Sequence, residues 1–426
     1  LEMKRMGLDP SPFKAGPDFL DPMHHSMVLG KACRNLDTWM FPNGVVEAFA
    51  RGAKGSGISV IEGVMGLYDG VNGRSEEGSS AHLAKMLGAP VVLVVDASGA
   101  ARSAGAVAEG FRVYDPDVSI AGVIFNNVGG PRHQRMLEDS LRGIPCFGGV
   151  FKSDAMHMKS RHLGLVPAAE TYDSEKYEAI RTHISECVDV RGIADAAAKA
   201  SPIEIVEPPP VVARERVRIG VARDRAFNFY YIHNIEELEH AGAEIVYFSP
   251  ENDALPDVDG LYFGGGYPEL FAAGLEKNHA MRKDVKKASD DGMPIYAECG
   301  GMMYLCSRAE DASGNLYEMA GVFDACAEIR NGGRMTLGYV EATSVRDTPL
   351  SAEGWTTRGH EFHYSSVVPP ADSKYAWELS RGKGIVDGKD GFMAGNTLAS
   401  YLHLHFASNP KIPVRFVESC SAYSRR

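Results

Sequence analysis

The residues best suited to chemistry lie in Pro294-Ile295-Tyr296-Ala297-Glu298-Cys299-Gly300-Gly301-Met302-Met303-Tyr304-Leu305. An apolar run reads as a strand, Glu-Cys-Gly-Gly as a tight turn, and the residues beyond it as a helix. This is the pattern of a nucleophile elbow, with sulfur where a hydroxyl oxygen is usual. Such a turn lifts the side chain above the sheet at a helix N-terminus, whose partial positive charge is expected to favour thiolate. Gly300 lets the backbone approach closely enough for its N–H to face an oxyanion, and Gly264-Gly265-Gly266, at the end of another apolar run, is suited to supply a second donor. A cysteine nucleophile also needs a base. Ser400-Tyr401-Leu402-His403-Leu404-His405-Phe406 offers two histidines on one face of an expected strand.

A second set of polar residues lies near the N-terminus. In Val60-Ile61-Glu62-Gly63-Val64-Met65-Gly66 a carboxylate ends an apolar strand and a glycine-containing turn follows, the place where a nucleotide-bound magnesium is held in P-loop-type sheets. Phe13-Lys14-Ala15-Gly16-Pro17-Asp18-Phe19-Leu20-Asp21-Pro22 adds Asp18 and Asp21 in a rigid turn. No G-x-x-x-x-G-K-[ST] loop occurs anywhere in the sequence.

Elements that could position these residues come in two series. In the first half Ile58–Val64, Val91–Asp96 and Ile120–Val128 read as strands, and 79–88, 103–114 and 132–141 as helices. That βαβ rhythm predicts a parallel sheet covered on both faces. The second half repeats it, with strands at 217–222, 244–248 and 260–263, a helix at 235–242 and one long helix from Pro268 to Asp291. Shorter strands then fill 321–406. Between the halves, Pro208-Pro209-Pro210 favours extended backbone and resists helix and central strand. The expected division is 1–200, a linker at 201–216, and 217–426, both domains being α/β.

Composition narrows the function classes. The 426 residues carry 44 basic and 56 acidic side chains, a net charge of −12, which argues against a nucleic-acid partner. No apolar stretch approaches the ~18–20 residues of a membrane span. The seven cysteines are scattered without CxxC spacing, so neither a disulfide framework nor a zinc site is indicated. A reducing, cytoplasmic setting is expected. Leu1–Met6 reads as the tail of a helix stopped by Gly7, so the sequence is expected to begin inside a fold.

From about Arg218 to Phe406 the chain resembles the class I glutamine amidotransferase domain of cobyric acid and cobyrinate a,c-diamide synthases. The resemblance rests on Ala222-Arg223-Asp224-Arg225-Ala226-Phe227-Asn228-Phe229-Tyr230-Tyr231, Gly264-Gly265-Gly266-Tyr267-Pro268-Glu269, the Cys299 turn, Arg358-Gly359-His360-Glu361-Phe362-His363-Tyr364 and Tyr401-Leu402-His403. It implies that Cys299 attacks the side-chain amide of glutamine and that His403 is the base. Most class I amidotransferases carry a glutamate two residues beyond this histidine. His405 stands there instead, which points to a Cys–His dyad, with His405, His360 and His363 as structural or substrate-facing residues.

The segments 13–22 and 60–70, with Arg34-Asn35-Leu36-Asp37-Thr38 and Arg161-His162-Leu163-Gly164-Leu165, resemble the dethiobiotin synthetase-like, P-loop-type domain of cobyrinate a,c-diamide synthases. The resemblance implies that Asp18, Asp21 and Glu62 serve ATP, Mg2+ and carboxylate activation, with Asp21 and Glu62 as the magnesium ligands. It places the family's P-loop ahead of Leu1. The substrate it implies is a corrinoid or sirohydrochlorin polycarboxylate, amidated at its a- and c-acetates, with Lys14, Arg34, Arg161 and Arg358 as the basic residues near it. Ammonia would pass between the domains, and a homodimer is compatible with this reading. Ni-sirohydrochlorin a,c-diamide synthase is the nearest alternative. A non-catalytic amidotransferase-like binding module or a switch ATPase would leave one half of the motifs unexplained.

Overall fold

A computed structural model of the chain describes residues 1–157, 160–161, 164–165, 172–203, 216–329 and 335–425. It divides into two compact units, Leu1–Glu207 and Pro208–Arg426. The triple proline lies outside the described residues.

In the first unit the strands Pro10–Ala15, Arg34–Leu36 and Ile58–Glu62 form one parallel sheet, with Pro10–Ala15 in the centre. Val91–Asp96, Ile120–Val128 and Cys146–Phe151 form a second, also parallel, with Ile120–Val128 in the centre. The single sheet anticipated from the βαβ rhythm is therefore two three-stranded sheets. Among the described residues no ladder joins Ile58–Glu62 to Val91–Asp96. These two strands instead border an apolar cavity of about 870 Å³, where Val60 and Val94 remain exposed. Helix starts follow local chemistry: the Ser79 hydroxyl caps Ser80–Met86 by accepting from His82 N–H. The opening helix, Glu2–Arg5, runs out at Gly7, whose φ of +79° suits glycine.

The second unit is built on a ten-stranded mixed sheet. Its parallel part runs in the order Ala243–Phe248, Val217–Ala222, Gly260–Phe263, Ile295–Glu298, Thr397–Ser400. Antiparallel strands Lys389–Ala394, Lys374–Arg381, Thr336–Ser344 and Thr356–His363 continue it, and His403–Leu404 closes the far edge. Tyr262, Phe263, Tyr296 and Ile295 in the central strands are fully buried, consistent with near-continuous apolar runs covered on both faces.

The long helix expected over 268–291 is broken into three pieces: a 3-10 turn at Pro268–Leu270 and helices at Ala272–Lys277 and His279–Asp290. Asn278 interrupts it. Its side-chain oxygen accepts from Met281 N–H, while its amide donates to the carbonyls of Pro250 and Asp253. A side chain that bonds the backbone this way stabilises a helix start rather than a helix interior. Among the described residues, no helix is long and apolar enough to cross a membrane.

Candidate active site

Cys299 follows directly on the Ile295–Glu298 strand and precedes the Gly300–Leu305 helix. Its φ is +47° and ψ −100°, a conformation that costs a non-glycine residue on the order of 1–3 kcal/mol. This is the elbow expected from the sequence. Two glycines make it possible. A Cβ on Gly300 would come 2.9 Å from Pro268 Cδ and 3.1 Å from Gly266 N, and one on Gly301 2.4 Å from the Phe263 carbonyl oxygen. The turn is further tied down by Cys299 N–H donating to Ser400 O at 2.7 Å and Gly301 N–H donating to Gly264 O at 3.1 Å.

The same strand pairing that joins Glu298 to Ser400 carries the chain on to His403. His403 is buried, and its ring lies against Gly265, where an added Cβ would be 2.5 Å from the imidazole Cε1. Gly265 itself pairs with Phe229 in a short antiparallel ladder. Its lack of a side chain therefore makes room for the His403 ring.

Sequence reasoning missed Glu298. Its Oε2 lies 3.7 Å from His403 Nδ1, and both side chains are 1% exposed. Oε1 accepts from Tyr296 Oη at 2.8 Å and from Leu404 N–H at 3.2 Å, which holds the carboxylate facing the imidazole. Cys299, Glu298 and His403 are thus linked in space, Glu298 coming from the residue before the cysteine. The position two beyond the histidine, His405, is fully buried and packs edge-on against His233 and beside Tyr231. Burial first, and then His233 and His360, keep His405 well below its usual pKa, so it is a neutral core residue. His360 stacks on His403 with ring centroids 4.9 Å apart and shares a hydrogen bond of 2.8 Å with Tyr231 Oη. His363 stacks on Tyr401 and bonds the Ser365 carbonyl through Nδ1.

The thiol is not a preformed thiolate. Burial pushes the Cys299 pKa far above that of a free thiol. The charges of Glu269, Glu298 and Asp390 add to this, and the Gly300 N–H opposes it only in part. The N-terminus of the six-residue helix Gly300–Leu305 does not outweigh that desolvation.

In the first unit, Lys14, Asp18, Asp21 and Glu62 come together. Lys14 Nζ lies 2.7 Å from Asp21, 3.5 Å from Asp18 and 3.4 Å from Glu62. The pairing of Pro10–Ala15 with Ile58–Glu62 sets Lys14 beside Glu62 in register. Asp18 Oδ1 accepts from Leu20 and Asp21 N–H and so shapes the start of the Leu20–Leu29 helix that carries Asp21. Asn35 braces the turn by donating to the Gly16 and Asp18 carbonyls. Burial would lower the Lys14 pKa, but its bond to Asp21 and the charges of Glu62 and Asp18 outweigh it and hold the ammonium. Burial, reinforced by the charge of Asp21, raises Asp18 to about 6.

Lys14 is thus a buried counter-ion of these carboxylates. His25 also pairs with Glu62, an interaction that sequence spacing did not suggest. No group of three or more His, Cys, Asp and Glu among the described residues is arranged to hold a metal ion on its own. The carboxylate oxygens of Asp21 and Glu62 are the hard donors magnesium uses, and Glu62 is 43% exposed, so this donor set fits.

Arg34 opens the strand beside Phe13 and is partly buried. The Arg161 backbone pairs with Gly164, and its side chain lies outside the description. Arg358 belongs to the second unit, where its Nε donates to Glu341 at 2.7 Å.

The model of the CobB/CobQ-like glutamine amidotransferase domain matches residues 218–411. Over 418 residues the chain is 44% identical to a cobyrinate a,c-diamide synthase of Methanothermobacter thermautotrophicus, covering 96% of this chain and 92% of that protein. It is 41% identical over 450 residues to one from Methanosarcina acetivorans, covering 98% and 90%, and 39% identical over 423 residues to one from Leptospira interrogans, covering 98% and 93%.

Proposed function

Because the chain belongs to the cobyrinate a,c-diamide synthase family, we propose that it uses glutamine and ATP to convert the a- and c-acetate carboxylates of cobyrinate to amides. The single observation that carries the chemistry is the strained Cys299 turn, with His403 and Glu298 held beside it. His403 takes the thiol proton as sulfur attacks the glutamine carboxamide carbon. The oxygen of the tetrahedral intermediate turns toward the Gly300 N–H, with the Gly265-Gly266 backbone suited to a second bond. Ammonia leaves with the proton returned by His403, and water then cleaves the thioester to glutamate. Glu298 keeps the imidazole oriented and stabilises its protonated form.

Ammonia does not displace oxygen from a free carboxylate at neutral pH. The substrate carboxylate is first phosphorylated by ATP, and ammonia then forms the C–N bond as phosphate departs. Asp21 and Glu62 would hold magnesium, which when bound neutralises phosphate charge. Lys14 holds these carboxylates together, and Asp18 orients the turn that bears Asp21.

The test offers cobyrinate, Ni-sirohydrochlorin and a small dicarboxylate in parallel, with glutamine and millimolar Mg–ATP, and reads amides by mass spectrometry. A ladder of cobyrinate mono- and diamide is expected. Amidation of the dicarboxylate with neither tetrapyrrole turned over would overturn the substrate assignment. Failure to hydrolyse glutamine would overturn the Cys299 mechanism.

A further inference from the structure

Three carboxylates act electrostatically on Cys299: Glu269, Glu298 and Asp390. Two of them are already committed. Glu298 accepts from Tyr296 and Leu404 and faces His403. Asp390 accepts from the backbone N–H groups of Gly391, Tyr401 and Leu402. Glu269 has neither a cation nor a side-chain hydrogen-bond partner among the described residues.

Its position is nevertheless fixed. Tyr267 N–H is tied to Ala226 O at 3.0 Å, the 3-10 turn Pro268–Leu270 follows, and Pro268 packs against Gly300, the residue after the nucleophile. The side chain is partly buried. A partly buried carboxylate without a counter-charge is costly to maintain, and the cost falls when a ligand brings the cation. The reacting substrate brings one. Glutamine carries an ammonium group four bonds from the carbon that Cys299 attacks, and this group has to be desolvated when the amide is seated at the sulfur.

We propose that Glu269 binds the α-ammonium group of glutamine and is thereby the residue that selects the free amino acid over other primary amides. The proposal rests on Cys299 being the glutamine-hydrolysing nucleophile. The local electrostatics agree with it: burial raises the Glu269 pKa to about 7, with only its own backbone N–H opposing. Below that pH the free site holds a neutral acid that gives the ammonium no charge partner, so glutamine KM should rise as pH falls through about 7. Binding the ammonium favours the carboxylate, so the bound complex keeps its charge to lower pH.

The decisive experiment compares glutamine with its des-amino analogue, 4-carbamoylbutanoate, as glutaminase substrates for the wild-type chain, Glu269→Gln and Glu269→Asp. Wild type should prefer glutamine by about 10- to 100-fold in kcat/KM, the range for one charge-assisted hydrogen bond. Glu269→Gln should lose most of that preference through a higher glutamine KM, while the analogue, which has no ammonium group, changes far less in KM, and Glu269→Asp should recover part of the preference. The glutamine KM of Glu269→Gln should also lose its pH dependence near 7. An equal loss on both substrates in Glu269→Gln would make the residue structural, and an undiminished preference would assign the ammonium to another group. Either result overturns the proposal. A wild-type chain that hydrolyses neither substrate would overturn the glutaminase reading beneath it, and this role with it.

Discussion

Gly265→Ala separates two roles that the sequence merges. As an oxyanion donor, Gly265 would use only its backbone N–H, which alanine keeps. As the floor beneath His403, it cannot carry a side chain, because an added Cβ would stand 2.5 Å from the imidazole Cε1 and 3.2 Å from Phe229 Cβ. Carbon contacts are most favourable near 3.5–4.0 Å, so the ring must retreat by about 1 Å. It is 1% exposed and stacked on His360, so the move also disturbs its neighbours. Overpacking of this kind costs about 1–3 kcal/mol of stability, and a 1 Å misplacement of a reacting group costs on the order of 10²-fold in rate. Steady-state glutaminase assays should therefore show kcat down by about that factor with glutamine KM little changed, and amidation from added ammonium chloride retained. A thermal melt checks that the variant is folded. A folded Gly265→Ala protein with kcat within twofold of wild type would refute the argument that close packing on His403 is what demands glycine here.

Cys299→Ala should abolish glutamine-dependent amidation and leave ammonia-dependent amidation intact, measured with the two nitrogen sources side by side; loss of both in a folded protein would contradict the separation of roles. Glu298→Gln keeps hydrogen-bonding capacity toward Tyr296 and Leu404 but removes the charge facing His403, so glutaminase kcat should fall by roughly tenfold or more; an unchanged kcat would return the site to a dyad. Glu62→Gln or Asp21→Asn should lower ATP-dependent amidation by at least about 100-fold while glutamine hydrolysis persists, as judged by separate product assays. Arg34→Ala and Arg161→Ala should raise the tetrapyrrole KM by roughly tenfold with little effect on that for glutamine; equal shifts in both would remove them from the tetrapyrrole site.

What the sequence determined by itself is local in origin. The strands Val91–Asp96, Ile120–Val128, Val217–Ala222 and Gly260–Phe263 stand where their short apolar runs placed them, since a strand inside a parallel sheet is built from a contiguous apolar run. The Cys299 elbow was equally legible, because strand, strained turn and helix are contiguous and the two glycines after the cysteine announce the close backbone approach. Tertiary structure decided what depends on residues distant in the chain. Asn278 divides the 268–291 helix because the Pro250 and Asp253 carbonyls are there to accept its amide. Glu298 faces His403 only because the strands Ile295–Glu298 and Thr397–Ser400 pair in one particular register. The sequence does not show that Lys14 is buried; ladder pairing with Ile58–Glu62 and the Asp18 turn set it among three carboxylates. The thiol's charge state was likewise out of reach: the sequence displays the helix that favours thiolate, whereas the desolvation that opposes it arises from packing by the rest of the unit. Periodicity and motif report on neighbours along the chain; register, burial and charge pairing are set by neighbours in space.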